Sequence, residues 1–193
     1  MAKGVPIHKL TKPDEPLRHS APALIIRANE MLDWAAAAHD PACIAELHNM
    51  RIAAKRLRYT MEIFAPTLGP KADKLLKTVE DIQERLGAIH DCDVMIPLLE
   101  QALEKEMNRE RKIARRGDSP PSHVAAEGLI PLMQKKRAER EKRYREFIQF
   151  WDKLPPEKMM SDLIELASLP SDNEPINLTD GPENSAGNAT MDS

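Results

Sequence analysis

Four side chains able to carry positive charge, His48, Arg51, Lys55 and Arg58, recur at steps of three, four and three residues between Leu47 and Tyr59. On a helix that spacing puts them on one face, along about 15 Å of axis. Like charges stacked in this way repel unless something negative offsets them. Glu62 continues the line one turn on and offsets only one of them. A row of cations on a rigid rod is suited to a multiply charged anion. Arginine suits it best, because its planar fork donates two hydrogen bonds to one anionic group.

A second set of charges stands where apolar side chains are expected. Stepping back from Trp151 by four, three, four, three and four residues gives Phe147, Tyr144, Arg140, Arg137 and Met133. Arg137 and Arg140 therefore lie on an inward stripe, and buried charge must be paired or liganded. They serve either the same anion or an ion pair with Asp91, Asp93 or Glu62. Lys74 and Arg85 flank the apolar stripe of an intervening helix and are weaker candidates for the same site.

Other chemistry is less well supported. His48 has no carboxylate or thiol at metal-ligand spacing, and Cys43 and Cys92 lack a CxxC partner. Asp91 and Asp93 read as helix caps and salt-bridge partners rather than a catalytic pair. There is no glycine-rich phosphate loop and no activated nucleophile. The expectation is a binding protein, not an enzyme, with no catalytic residue, cofactor or metal.

The elements that must position these residues are helices. Among 193 residues there are 7 glycines and 7 aromatics, against many Ala, Leu, Glu, Lys, Arg and Met. A first helix is expected from about Ala21 to Ala38. Asp40 is the expected N-cap and Pro41 the first position of a second, which Pro66 stops at about Ala65. A third runs from about Lys71 to Ala88, with Leu75, Val79, Ile82, Leu86 and Ile89 as its core stripe. Gly87 weakens its end, and Asp91 or Asp93 starts a fourth, to about Arg116. A fifth spans about Val124 to Leu154, and a short sixth Glu157 to Leu169. The fold class is all-α, a bundle of about five to six antiparallel helices over 21–169. It follows an irregular lead-in at 1–20 and precedes a disordered acidic tail at 170–193.

Charge is unevenly spread. Residues 155–193 hold eight acids and one lysine, −7, which leaves +4 on 1–154 within a net charge of −3. A basic body suggests an anionic ligand. No apolar run nears the roughly 18 residues of a membrane span, so no membrane partner is expected. With no signal-peptide pattern, a cytoplasmic address is the default.

His48, Arg51, Lys55, Arg56, Arg58 and Tyr59 stand in the pattern H-x-x-R-[VI]-x-x-[KR]-[KR]-L-R-[YA]. LGAIHDCDV follows, with Leu86, Gly87, Asp91, Asp93 and Val94. The pair resembles the conserved histidine α-helical domain, the CHAD family, closely over Leu47 to Val94. The resemblance implies a helical bundle whose basic cavity binds inorganic polyphosphate, with association to polyphosphate granules. On matching positions His48, Arg51, Lys55 and Arg58 would line the anion site. Two features depart from the family. His90 stands where a basic residue, usually Arg, precedes the Asp of the second motif. Only one strong copy of the basic helix is present where the family commonly has two pseudo-symmetric halves. The cavity is then either reduced to a groove or completed by a second subunit, as a homodimer. The alternative to polyphosphate is a basic scaffold for a protein or nucleic acid. The latter is less expected, since aromatics able to stack on bases are few and Tyr59 is the only tyrosine near the basic helix.

Overall fold

Leu47, Met50, Ala54, Leu57 and Met61 recur at three- and four-residue steps, and all are buried. Burying one such aliphatic side chain contributes about 1.5–3 kcal/mol, so this stripe, more than propensity, holds its helix in place. The computed structural model describes residues 15–68, 70–116 and 124–168. They form α1 (Glu15–Leu32), a 3-10 turn (Ala35–His39), α2 (Ile44–Leu68), α3 (Lys71–Arg115), α4 (Val124–Trp151) and α5 (Pro156–Ser168). No strand occurs among the described residues, and the all-α bundle is as expected. Residues 1–14 and 169–193, hence the acidic tail, lie outside the described residues.

α1 packs on α2 and α5, and α3 packs on α2 and α4. Phe147 and Trp151 bring α4 into the core, with ring centroids 6.0 Å apart. The buried Tyr144 hydroxyl donates to the Ala38 carbonyl at 2.9 Å, which ties α4 to the turn before α2. Met159, Leu163 and Leu166 close the core from α5.

The ends of the first two helices differ from the sequence reading, and α1 gives way after Leu32 to the 3-10 turn instead of reaching Ala38. α1 begins at Glu15, inside the expected lead-in, with Pro16 in its first turn, where a missing N–H costs nothing. Asp40 caps a turn rather than the helix. Its Oδ1 accepts the Ala42 N–H at 2.8 Å, and α2 starts at Ile44 and runs past Pro66 to Leu68.

The largest difference is that the expected third and fourth helices are one, the 45-residue α3, about 67 Å long at 1.5 Å per residue. Leu86, Ile89, Cys92 and Leu99 are buried on both sides of the expected break. Their burial outweighs the roughly 1 kcal/mol that Gly87 costs a helix interior. Asp91 and Asp93 are therefore interior residues and cap nothing. Pro97 is exposed and takes away only the bond to the Asp93 carbonyl. Among the described residues, the buried core ends at Leu99 on α3 and resumes at Tyr144 on α4. Between those points the two helices form an outlying hairpin.

Candidate functional site

The cation line of α2 lies along α3. His48 Nδ1 is 3.2 Å from His90 Nδ1, and Arg58 Nη1 is 3.9 Å from Glu80 Oε1. The pairs are ten residues apart on both helices, which fixes an antiparallel register. That register sets Arg51 opposite Gly87 and Lys55 opposite Gln83. Positions 80, 83, 87 and 90 step by three, four and three, the spacing of 48, 51, 55 and 58. Two polar lines thus border one shallow groove, with the aliphatic core of α2 and α3 beneath.

The state of each cation differs. Arg51 is half-buried, its Nε has no hydrogen-bond partner, and no ion pair holds it among the described residues. Lys55 is exposed, also without a carboxylate among the described residues, its ammonium 5.5 Å from the Tyr59 ring centroid. The Arg58 guanidinium lies 4.9 Å from that ring, with Nε 3.5 Å from Glu62 Oε1 but outside hydrogen-bonding geometry. Across the groove the buried Gln83 Oε1 is unbonded too, and nothing lies within 4 Å of where a Gly87 Cβ would stand. Buried polar groups are nearly always partnered, so these orphans single out the groove as the candidate site for an anion.

The two imidazoles form the end of the groove, with centroids 4.4 Å apart and planes tilted by 42°. A contact between two Nδ1 atoms needs one N–H donor and one lone pair, so it suits neutral or singly protonated rings. His90 is held neutral to lower pH than usual, first by burial, then by the Arg51 cation and by His48. Asp91 and Asp93 oppose this only weakly.

The remaining expected site residues are elsewhere. Arg137 is half-exposed and pairs with Glu100 of α3. Arg140 donates through Nε to the buried Asp93, and through Nη2 to the Pro41 carbonyl at 2.9 Å. An ion pair with Asp93 is one of the alternatives the sequence leaves open, and it is the one Arg140 makes. Lys74 lines a cleft of about 200 Å³ with Asp162 and Glu165 of α5. Arg85 stacks on Phe150, its Cζ 4.5 Å from the ring centroid, beside Arg143 and Glu146. The structure thus brings together His48, Arg51, Lys55 and Arg58, and sets Lys74, Arg85, Arg137 and Arg140 apart from them.

Sequence reasoning missed Gln83 and Gly87 as the groove's far wall, and His90 as the partner of His48. The repeated three-four-three spacing on the two helices was the signal that could have found them. No group of three or more His, Cys, Asp or Glu able to hold a metal occurs among the described residues. No described helix is long and apolar enough to cross a membrane.

A family model described as the CHAD domain matches residues 4–100. The match ends where the buried core leaves α3. No curated protein and no solved structure matches the chain.

Proposed function

We propose that this chain, which belongs to the CHAD domain family, binds inorganic polyphosphate along the α2–α3 groove without turning it over. The observation that carries this reading is Arg51, a half-buried guanidinium with an orphaned Nε and no carboxylate partner among the described residues. A folded protein gains nothing from such a group until an anion arrives.

Polyphosphate has about one charge per internal unit and no base or ring to recognise. A line of fixed donors is therefore enough, and about 15 Å from His48 to Arg58 tracks several units. His48, Arg51, Lys55 and Arg58 are the expected contacts, joined by the His90 ring. The family resemblance favours this ligand over a nucleic acid, and so does the scarcity of aromatics along the line, where the Tyr59 ring already contacts the Lys55 and Arg58 cations. Such a ligand goes with a cytoplasmic place beside polyphosphate granules, which co-sedimentation with granules would test.

The direct test is calorimetric titration with long-chain polyphosphate at two salt concentrations. Binding at low salt should weaken steeply as salt rises, as for other polyanions. Absence of binding at low salt would refute the proposal. A charge-matched oligonucleotide that competes equally well would point to the general basic scaffold, and phosphate release would show an enzyme.

A further inference from the structure

We infer that the exposed face of α3 seats a second copy of this chain, antiparallel about a two-fold axis at Leu98, and that the copy brings Arg109 to the open side of the groove. The association itself follows from α3 alone. The role of the added cation rests on the polyphosphate reading.

Positions 84, 87, 91, 94, 98, 102, 105, 109 and 112 step by three or four and so share one face of α3. The steps read the same in both directions from Leu98. At the centre the face is apolar and open. Val94, Met95 and Leu98 are 48, 41 and 52% exposed, and the α2–α3 register sets Ile44, 47% exposed, beside Val94. A run of exposed aliphatic side chains on one surface marks a contact.

Charge on this face is self-complementary. In an isologous dimer each position meets its mirror position on the other copy. With Leu98 on its own mate, Val94 meets Ala102, Asp91 meets Lys105, and Glu84 meets Lys112. Acids occupy the half before Leu98 and cations the half after it, so the antiparallel arrangement pairs opposite signs at both ends. A parallel arrangement would set like charges together. Glu84, Asp91, Lys105 and Lys112 are exposed, and none makes an ion pair among the described residues. Among the described residues, positions 84, 91, 94, 98, 105, 109 and 112 of this face are all exposed.

The same register sets Arg109 of the copy against Gly87, where a Cβ would meet nothing within 4 Å. Gly87 faces Arg51 across the groove. A helix seated there would turn the groove into a trough, with α2 on one side and the copy's Arg109 on the other. Repulsion between Arg109 and the α2 row makes the dimer weak alone and stronger once a polyanion lies between them.

Sedimentation velocity of the full chain without polyphosphate, from roughly 1 to 200 µM, brackets the affinity of so small an interface. A concentration-dependent monomer–dimer equilibrium is expected. Leu98→Asp, at an exposed position that leaves the fold intact, should weaken it at least ~10-fold by burying two unpaired carboxylates. Asp91→Lys should weaken it too, and Asp91→Lys with Lys105→Asp should restore it. A wild type that stays monomeric throughout overturns the dimer, as does a double variant no better than the single. Arg109→Ala should then lower polyphosphate affinity several-fold, and unchanged affinity overturns the trough. Polyphosphate that fails to bind the wild type refutes the ligand reading alone, since the sedimentation data are taken without it.

Discussion

Replacing Arg51 by methionine should weaken polyphosphate binding and stabilise the free protein at once. Methionine keeps the unbranched stem that packs between α2 and α3 and removes only the guanidinium. A hydrogen bond from a charged donor is worth about 1.5–3 kcal/mol net, and 1.4 kcal/mol is tenfold in Kd, so affinity should fall about 10- to 150-fold. The slope of log K against log salt should become shallower by nearly one, the share of one cation. The free protein loses an orphaned Nε and a cation beside His90. A gain of about 0.5–1 kcal/mol follows, discounted because the rest of the guanidinium reaches solvent. In a domain of this size that is a rise in Tm of roughly 1–4 °C. Calorimetric titration at two salt concentrations, thermal unfolding without ligand, and a histidine NMR titration supply the three readouts. The His90 pKa should rise, since one cause of its depression is gone. If affinity is unchanged in a folded variant, or if the variant is less stable than wild type, Arg51 is structural and the reasoning fails.

Acidification should strengthen binding while weakening the fold. The folded-state pKa of His90 lies below its ordinary value, so the unfolded chain takes up the proton first and stability falls as pH drops below about 6.5. A polyanion in the groove favours the imidazolium instead, so affinity should grow from pH 7.5 towards pH 5.5. Calorimetry in buffers of different ionisation enthalpy should show net proton uptake, which His90→Gln should reduce. Arg140→Ala leaves the Asp93 carboxylate, 6% exposed, without its cation, and should cost about 3 kcal/mol or more in urea unfolding. Arg137→Ala breaks a half-exposed pair and should cost less than about 1 kcal/mol with affinity hardly changed. Gln83→Glu sets a carboxylate opposite Lys55 at nearly constant volume, and should weaken polyphosphate binding about tenfold in the same titration while Tm holds or rises.

The α2 half of the groove was legible in the sequence because a helix converts spacing into direction, and His48, Arg51, Lys55 and Arg58 needed nothing more. The core stripe from Leu75 to Ile89 was legible for the same reason. The continuity of α3 was not. Gly87, two aspartates and Pro97 are local signals for a break, while the burial of Cys92 and Leu99 that overrides them depends on α4 and the rest of the bundle. Arg137 and Arg140 show the other limit. The place of Arg140 on an inward stripe was readable, whereas Arg137, expected there too, is half-exposed beyond the end of the buried core, and a stripe does not say which carboxylate waits opposite. That depends on the α3–α4 register, which Glu100 and Asp93 fix from a distance in sequence.

What separates arginines that build this fold from arginines free to bind is the distribution of acids on α3. Towards α4 the helix presents Asp93 and Glu100, and the arginines facing them are ion-paired. Towards α2 it presents Glu80 and then Gln83, Gly87 and His90, with no carboxylate over three turns of that line. A glutamate at 83 or 87 would fit a helix as well as the residues present and would offset Arg51 and Lys55. Their absence leaves the free protein with like charges in a row and unbonded polar atoms beside them, a state less stable than the same backbone could reach. Such a state is retained where activity needs it. The physical signature of the site is thus less the cations themselves, which this chain has in many places, than the missing acids opposite three of them, His48, Arg51 and Lys55.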